Sequence, residues 1–162
     1  MAIDGEISYE AGDATAPVGD GQKIIVHVCN DIGGWGAGFV LALSARWPEP
    51  EAAYRHWYQN RDANDFELGA MQLVQVEDDI WVANVIGQRD VVAIGDDPPV
   101  RYGAIEAGLT QLADEAYAMD ASIAMPRIGC GLAGGEWTAM EPIIQRALCG
   151  RGIDVVVYDL PS

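Results

Sequence analysis

The sequence predicts an α/β fold in which helices cover both faces of a mixed β-sheet. Strand-like and helix-like segments alternate along almost the whole chain, and two glycine-rich loops each follow a strand. The segment KIIVHVC at residues 23–29 is nearly all β-branched, as expected for a strand covered on both faces. With 162 residues, half of them hydrophobic, the chain can fill one sizeable core, so we expect a single domain over residues 1–162.

In the first half of the chain, a short strand ends at Gly12 and Asp13, and a loop rich in Gly, Ala, Asp and Pro leads to the β-branched strand. Apolar residues at helical spacing then predict a helix that begins at Phe39. Pro48 and Pro50 end this helix, because proline lacks the backbone N–H that a helix interior needs. After a second short helix, two strand-like segments flank an acidic turn and predict an antiparallel hairpin.

In the second half, a looser stretch leads to a helix whose apolar residues, from Ile105 to Ala116, recur at helical spacing. A short strand, the second glycine loop, a helix with Trp137 on its inward face and a final strand complete the order. The predicted strands span residues 7–10, 23–29, 71–76, 80–86, 122–125 and 154–158, and the predicted helices span residues 39–47, 51–59, 105–116 and 136–148.

The composition excludes several classes of protein. Acidic residues outnumber lysine and arginine by 25 to 9, and the net charge of −16 disfavours non-specific binding to nucleic acid and to anionic membranes. The sequence has neither an apolar run of membrane-spanning length nor a signal-like N-terminus, so we expect a cytoplasmic protein that does not bind membranes. Cys29, Cys130 and Cys149 have neither disulfide nor zinc spacing, and we expect no metal and no cofactor.

Two glycine-rich loops are the main functional feature of the sequence. They span residues 29–38 and 126–135, and each lies between the carboxyl end of a strand and a helix, where open α/β sheets bind ligands. Glycine lets backbone N–H groups approach phosphate oxygens, which would allow a very acidic protein to hold a diphosphate without lysine. The alternative is that the glycines only form sharp turns, but two such loops at equivalent positions favour ligand binding.

Two other nucleotide-binding motifs fit these loops less well. Gly129, Gly131 and Gly134 satisfy the G-x-G-x-x-G spacing of dinucleotide-binding folds, with Asp159 at the end of the next strand. The motif lies too near the C-terminus for a fold that needs two such halves, which disfavours an oxidoreductase of this type. A P-loop is excluded because neither loop ends in Gly-Lys-Ser or Gly-Lys-Thr.

Five segments carry a resemblance to a known family. The most specific is Met-Pro-Arg-Ile-Gly-Cys-Gly-Leu at residues 125–132. The others are Gly-Asp at 12–13, His-Val-Cys-Asn at 27–30 leading into Gly-Ala-Gly at 36–38, Asn-Val-Ile at 84–86 and Val-Tyr-Asp-Leu at 157–160. In this order they resemble the macrodomains, in particular the branch of terminal ADP-ribose protein glycohydrolases and DNA ADP-ribosyl glycohydrolases. The resemblance covers nearly the whole chain and implies a three-layer α/β/α sandwich with a mixed central sheet of about six strands.

The resemblance implies a pocket for ADP-ribose, either free or attached to protein or DNA. Asp13 would accept a hydrogen bond from the adenine amino group, with Tyr158 and Leu160 beside the adenine. Asn30 and residues 36–38 would hold the distal ribose, and residues 128–133 would wrap the diphosphate. The ligand-binding residues expected on this basis are Asp13, Ala14, Asn30, Asp31, Trp35, Gly36, Ala37, Gly38, Phe39, Pro126, Ile128, Gly129, Cys130, Gly131, Leu132, Ala133, Tyr158 and Leu160.

The sequence departs from the best-known hydrolytic members of this branch at two positions. Those proteins use a lysine that attacks the ribose C1″ and an aspartate after Gly-Cys-Gly-Leu, and the corresponding residues here are Gln88 and Ala133. The only lysine, Lys23, starts a strand elsewhere in the pattern. We therefore do not expect a covalent lysine intermediate.

If hydrolysis occurs, the simplest route left is direct attack of water on C1″. Gln88 and Arg89 are the candidates for positioning the water and the leaving group, and Asn30 is the third candidate catalytic residue. The alternative for Gln88 and Arg89 is an ordinary polar loop after a strand.

Four further residues each have two interpretations. His27 has a suitable intrinsic pKa for acid–base work, but its apolar strand favours a hydrogen-bonded core histidine. Cys130 is either a nucleophile or, with no histidine placed to activate it, a small loop residue. Trp35 either exposes a ring that covers the ribose or packs on the following helix. Asp31 either orients water or caps a turn.

These observations predict an ADP-ribosyl glycohydrolase that removes ADP-ribose from acidic protein side chains or from DNA bases. Two alternatives stay open. The replaced lysine and aspartate are compatible with a non-catalytic ADP-ribose reader. A phosphatase acting on ADP-ribose 1″-phosphate would instead draw on His27 and Asn30.

Overall fold

A computed structural model describes residues 4–160. Residues 1–3, part of the segment considered for a signal peptide, and residues 161–162 lie outside this range. The described strands are β1 (Ile7–Ala11), β2 (Lys23–Asn30), β3 (Met71–Glu77), β4 (Ile80–Gln88), β5 (Ser122–Met125) and β6 (Val155–Asp159). The described α-helices are α1 (Phe39–Arg46), α2 (Glu49–Gln59), α3 (Tyr102–Ala118) and α4 (Trp137–Ala147).

The six strands form one mixed sheet in the order β1-β6-β5-β2-β4-β3. Every neighbouring pair from β1 to β4 is parallel, and β3 pairs with β4 antiparallel, as the hairpin pattern predicts. Parallel strands end at the same edge of a sheet. The segments that follow β1, β2, β4, β5 and β6 therefore all lie at one edge, the carboxyl edge, and both glycine loops are among them.

Helices cover both faces of the sheet, which confirms the predicted three-layer α/β/α arrangement. Helices α3 and α4 pack on one face over Ile24, Val26 and Val85, and α1 and α2 pack on the other face over Ile25 and Ile86. Strand β2 contributes alternate side chains to both cores, because successive residues of a strand point to opposite faces. Its β-branched sequence fits this doubly covered position.

The predicted elements are confirmed, with boundaries that shift by a few residues. Ile105, Leu109, Leu112 and Ala116 are fully buried on α3, as their spacing predicts. Trp137 begins α4 but is only partly buried against the core. No helix between residues 4 and 160 has both the length and the apolar character of a membrane span.

Candidate functional site

A cleft opens at the carboxyl edge of the sheet, between the two glycine loops. It consists of two adjoining cavities, of about 590 and 340 Å³. We call the first the distal cavity and the second the proximal cavity; the first glycine loop lines mainly the distal one and the second glycine loop the proximal one. Both cavities are lined by Val28, Ala37, Val40, Gln88 and Leu132. Because they share these walls, one extended ligand can occupy both.

Most of the predicted ligand-binding residues line this cleft. The lining includes Asn30, Trp35, Gly36, Ala37, Gly38, Phe39, Gln88, Pro126, Ile128, Gly129, Cys130, Gly131, Leu132 and Ala133. The lining does not include Asp13, Ala14, Asp31, Arg89, Tyr158 or Leu160. The structure thus brings the two loops together and places the expected adenine residues outside the cavities.

The second glycine loop has a backbone path that needs glycine. Gly129, Gly131 and Gly134 have φ values of +76°, +66° and +79°, a region that other residues rarely adopt. The Gly134 and Gly135 amides donate to the carbonyl oxygens of Gly131 and Gly129 and close the turn. A Cβ on Gly135 would lie 2.2 Å from the Gly129 oxygen, so this position tolerates no side chain.

The same loop presents backbone N–H groups that no protein acceptor takes up. Among residues 4–160, no hydrogen-bond acceptor pairs with the amides of Gly131 and Leu132, which open a single 3₁₀ turn over Gly131–Ala133. Opposite them, α1 begins with Gly38 as its N-cap, so no side chain caps its first amides. Consecutive free N–H groups of this kind form an anion-binding nest, and the start of α1 adds positive potential.

The two loops also touch each other. A Cβ built on Gly38 would lie 3.4 Å from Cδ1 of Leu132, whose side chain is otherwise 71% exposed over the cleft. Leu132 therefore sits between the two cavities and against the first loop.

Asn30 gives the first glycine loop its shape. Its Oδ1 accepts hydrogen bonds from the amides of Ile32 and Gly34, its Nδ2 donates to the Gly34 oxygen, and the Tyr54 hydroxyl lies 2.9 Å from the same Oδ1. A side-chain amide bonded to its own following backbone fixes a turn. Asn30 lines the distal cavity, but most of its hydrogen-bonding capacity holds the loop.

Trp35 does not expose its ring, so the expectation that this ring covers the ribose is wrong. The side chain is 5% exposed, its ring packs against Tyr54 and His27, and its Nε1 donates to the Ser44 hydroxyl on α1. The alternative prediction, that Trp35 packs on the following helix, is confirmed. Trp35 is a rigid wall of the distal cavity and not a cover over it.

Gln88 lies at the boundary of the two cavities, as the last residue of β4. Its Nε2 donates to the Asp90 carbonyl oxygen, which leaves Oε1 to accept a hydrogen bond from a ligand or water. Asp31 accepts the Asp90 amide at 2.7 Å and so joins the first loop to the segment after β4. Arg89, the neighbouring candidate, is exposed and does not line the cleft.

The residues expected at the adenine lie where β1 and β6 end side by side. Asp13 is exposed, and one of its oxygens accepts the amide and hydroxyl of Thr15. The Tyr158 ring packs under Gly12, and its hydroxyl accepts the Val18 amide at 3.0 Å. Ala14 is buried in the core, whereas Leu160 is 75% exposed.

His27 is a core histidine at the floor of the proximal cavity. Its Nε2 donates to the Asn84 Oδ1, because the Asn84 amide nitrogen is already used in bonds to Pro50 and Gln72. Burial lowers the pKa of His27 to about 4, so its ring is neutral at physiological pH. Burial also raises the pKa of the Cys130 thiol, which argues against a thiolate nucleophile there.

Lys23 lies at the opposite edge of the sheet from the cleft. As the first residue of β2 it is buried, and its Nζ donates to the Gly19 and Gly21 carbonyl oxygens and to Asp79, at 3.0 to 3.1 Å. The only lysine of the chain is therefore a structural cation.

Two arginines near the site were missed by sequence analysis. Arg55 on α2 lines the distal cavity. Arg127 makes two hydrogen bonds to Asp159, at 2.8 and 2.9 Å, and lies between the rings of Tyr9 and Trp137, so it ties the second loop to the end of β6. Neither placement has a local sequence signal, because Arg55 reaches the cavity only through the packing of α2 beside the first loop, and the partners of Arg127 lie on other elements.

Comparison with known proteins identifies the family of this chain. No model of a known protein family matches the chain. Among solved structures, a macrodomain protein from Streptomyces coelicolor is 58% identical, with a TM-score of 0.85 over 95% of this chain and 99% of that one. A Bacteroides thetaiotaomicron protein of unknown function is 53% identical, with a TM-score of 0.92 over 96% and 98% of the two chains.

Two more distant similarities are to a protein solved with ADP-ribose and to a much longer protein. Thermosipho africanus DarTG, solved in complex with ADP-ribose, has a TM-score of 0.68 at 22% identity, over 85% of this chain and 38% of that one. The mouse chromodomain-helicase-DNA-binding protein 1-like is 31% identical over 96% of this chain, and the zebrafish protein of the same name is 34% identical over 94%. The chain spans only 18% and 15% of the length of these two relatives.

The high identity over almost the full length of the Streptomyces macrodomain protein agrees with the glycine loops and the sheet order. The chain therefore belongs to the macrodomain family.

Proposed function

We propose that the chain binds ADP-ribose along the carboxyl edge of the sheet. The adenine would lie near Asp13 and Tyr158, the diphosphate in the proximal cavity and the distal ribose in the distal cavity. The observation that carries this proposal is the pair of free amides at Gly131 and Leu132, facing the uncapped start of α1. These groups supply positive potential to a diphosphate in a protein whose net charge is −16. The ADP-ribose bound by the similar Thermosipho protein supports the choice of ligand.

We further propose that the protein hydrolyses ADP-ribosyl linkages, as in the glycohydrolase branch of the family. No lysine is found in the described lining of the cleft, so the route is direct attack of water on C1″. Gln88 is placed between the cavities with a free Oε1 that can hold this water. The nest amides would hold the diphosphate still, so that C1″ and the water meet in a fixed orientation.

A non-catalytic reader is the second candidate, and one observation favours it. Asn30, a candidate for contact with the distal ribose, uses its side chain mainly to shape its own loop. The phosphatase alternative lacks such support, since the candidate His27 is neutral and bonded to Asn84.

One set of measurements separates these functions. The protein is titrated with ADP-ribose by calorimetry and is then incubated with protein ADP-ribosylated on acidic side chains, with ADP-ribosylated DNA and with ADP-ribose 1″-phosphate. We expect binding, and release of ADP-ribose from one of the first two substrates. Binding without release from any substrate would identify a reader, and absence of binding would refute the proposed ligand.

A further inference from the structure

The distal cavity has an apolar lining with one positive charge. Ile32, Trp35, Val40 and Val91 are among its walls, and Arg55 is the one cationic side chain in the part of the lining that the structure describes. Under the proposed function, this cavity holds the reacting C1″ and the first atoms of the acceptor. A charge next to an apolar wall interacts more strongly with a nearby ion than a charge in water does.

The Arg55 guanidinium is held in place by a chain of hydrogen bonds. Its Nε donates to Glu51, one turn earlier on α2, at 2.8 Å, and its Nη1 lies 3.3 Å from the Gly33 carbonyl oxygen in the first loop. Glu51 also accepts the Ser44 hydroxyl, which in turn accepts Nε1 of Trp35. These contacts leave Nη2 without a protein partner among residues 4–160. The group is thus oriented before any ligand arrives and keeps donors for one.

The described lining of the cleft holds no carboxylic acid or ammonium group to protonate a leaving group, and burial raises the pKa of the Cys29 and Cys130 thiols. Neither cavity is lined by an aspartate, a glutamate or a lysine of the described chain. The His27 ring carries its one proton on Nε2, which donates to Asn84. A departing acceptor would therefore leave with its bonding electrons as an anion, and that anion needs a positive partner.

Given the proposed hydrolysis, we propose that Arg55 stabilises the departing acceptor and makes the protein selective for acceptors that leave as anions. In this step the water oxygen forms a bond to C1″, while the bond from C1″ to the acceptor oxygen breaks. Both electrons of the broken bond go to the acceptor oxygen, which becomes a carboxylate if the acceptor is an acidic side chain. The water gives one proton to solvent, and its hydroxyl becomes the 1″-OH of ADP-ribose. Glu51 is the positioning residue for Arg55.

The test uses ADP-ribose joined at C1″ to phenols of different acidity, from 4-nitrophenol to phenol, as leaving groups. The variants are Arg55→Gln, which removes the charge, Arg55→Lys, which keeps it, and Arg151→Gln as the matched control. Arg151 pairs with Asp114, and its 3₁₀ turn precedes β6, at the edge of the sheet opposite the cleft.

We expect Arg55→Gln to lower kcat about 10- to 100-fold, because loss of one preorganised donor costs about 100-fold or more in a buried site and Arg55 is half exposed. The loss should grow as the phenol becomes less acidic, and Arg55→Lys should recover part of it. Arg151→Gln should match the wild-type protein. ADP-ribose affinity should change little in all three variants, since the free product lacks a leaving group. Glu51→Gln should give a smaller loss with the same dependence on the phenol.

Two results would overturn the inference in distinguishable ways. An equal loss with every phenol, or a loss matched by weaker ADP-ribose binding, would show that Arg55 only supports the loop at Gly33; the hydrolase would stand. If the wild-type protein released neither phenol nor a protein carboxylate, the proposed function itself would fall, and the role of Arg55 with it.

Discussion

Replacement of Gly131 by valine should separate ligand binding from stability. Gly131 has φ +66° and no heavy atom within 4 Å of an added Cβ, so a side chain can start there without a clash at Cβ. The left-handed backbone alone should cost about 1–2 kcal/mol of folding free energy. The new side chain would stand beside the free amides of Gly131 and Leu132. Loss of two charge-assisted hydrogen bonds there, at about 1.5 kcal/mol or more each, corresponds to about 100-fold weaker ADP-ribose binding or worse.

Gly21→Val is the matched control for this variant. Gly21 has φ +81° and likewise no heavy atom within 4 Å of an added Cβ, but it lies beside Lys23 at the edge opposite the cleft. Urea unfolding should give a similar loss of stability for both variants, of about 1–2 kcal/mol. Calorimetric titration should show ADP-ribose binding lost in Gly131→Val alone. Equal ADP-ribose affinity in the two variants would refute the assignment of the diphosphate to the second loop.

Three further predictions concern catalysis, the buried lysine and pH. Gln88→Ala should lower kcat about 10- to 100-fold in the release assay, because Oε1 of Gln88 would hold the attacking water, while the calorimetric ADP-ribose affinity stays within about two-fold. An unchanged kcat would remove Gln88 from the mechanism. Lys23→Met should lower the free energy of unfolding by about 1–2 kcal/mol in urea titrations, because the Gly19 and Gly21 carbonyl oxygens and the Asp79 carboxylate lose their donor, yet leave kcat nearly unchanged. A folded variant without turnover would contradict the structural role of Lys23. Burial lowers the pKa of His27 from 6.5 to about 4, so its contribution to stability is complete above about pH 6.5 and is lost as the pH falls towards 4. Between about pH 7.5 and pH 5 the free energy of unfolding should fall by about 2 kcal/mol. This fall should disappear in His27→Asn and persist in His56→Asn, which changes an exposed histidine. A His27→Asn variant that keeps the full pH dependence would show that protonation of His27 is not the cause.

The elements and layers of the fold could be predicted because they rest on repeating apolar patterns. The spacing of Ile105, Leu109 and Leu112 marks a buried helix face, and the β-branched segment in β2 marks a strand between two cores. The second glycine loop could be placed as well, because its glycines follow a strand and are required by positive φ angles.

The parts of the site that were missed depend on contacts between distant segments. A loop has no periodicity, so nothing in the sequence around Trp35 indicates that its ring turns inward onto Tyr54. Arg55 looks like an ordinary exposed residue of α2, and only the packing of α2 beside the first loop brings it to the cavity. The same holds for Arg127, whose partners Tyr9 and Asp159 are far from it in sequence.

The most direct test of the binding site is to map ADP-ribose by NMR on ¹⁵N-labelled protein, whose 17.3 kDa mass suits the method. We expect added ADP-ribose to shift the amide signals of residues 131–133 and 36–39 most strongly, with smaller shifts near Asp13. The amides of Gly21, Lys23 and Asp79, at the opposite edge, should not move. Shifts concentrated at that opposite edge, or no shifts at saturating ADP-ribose, would contradict ADP-ribose binding at the carboxyl edge.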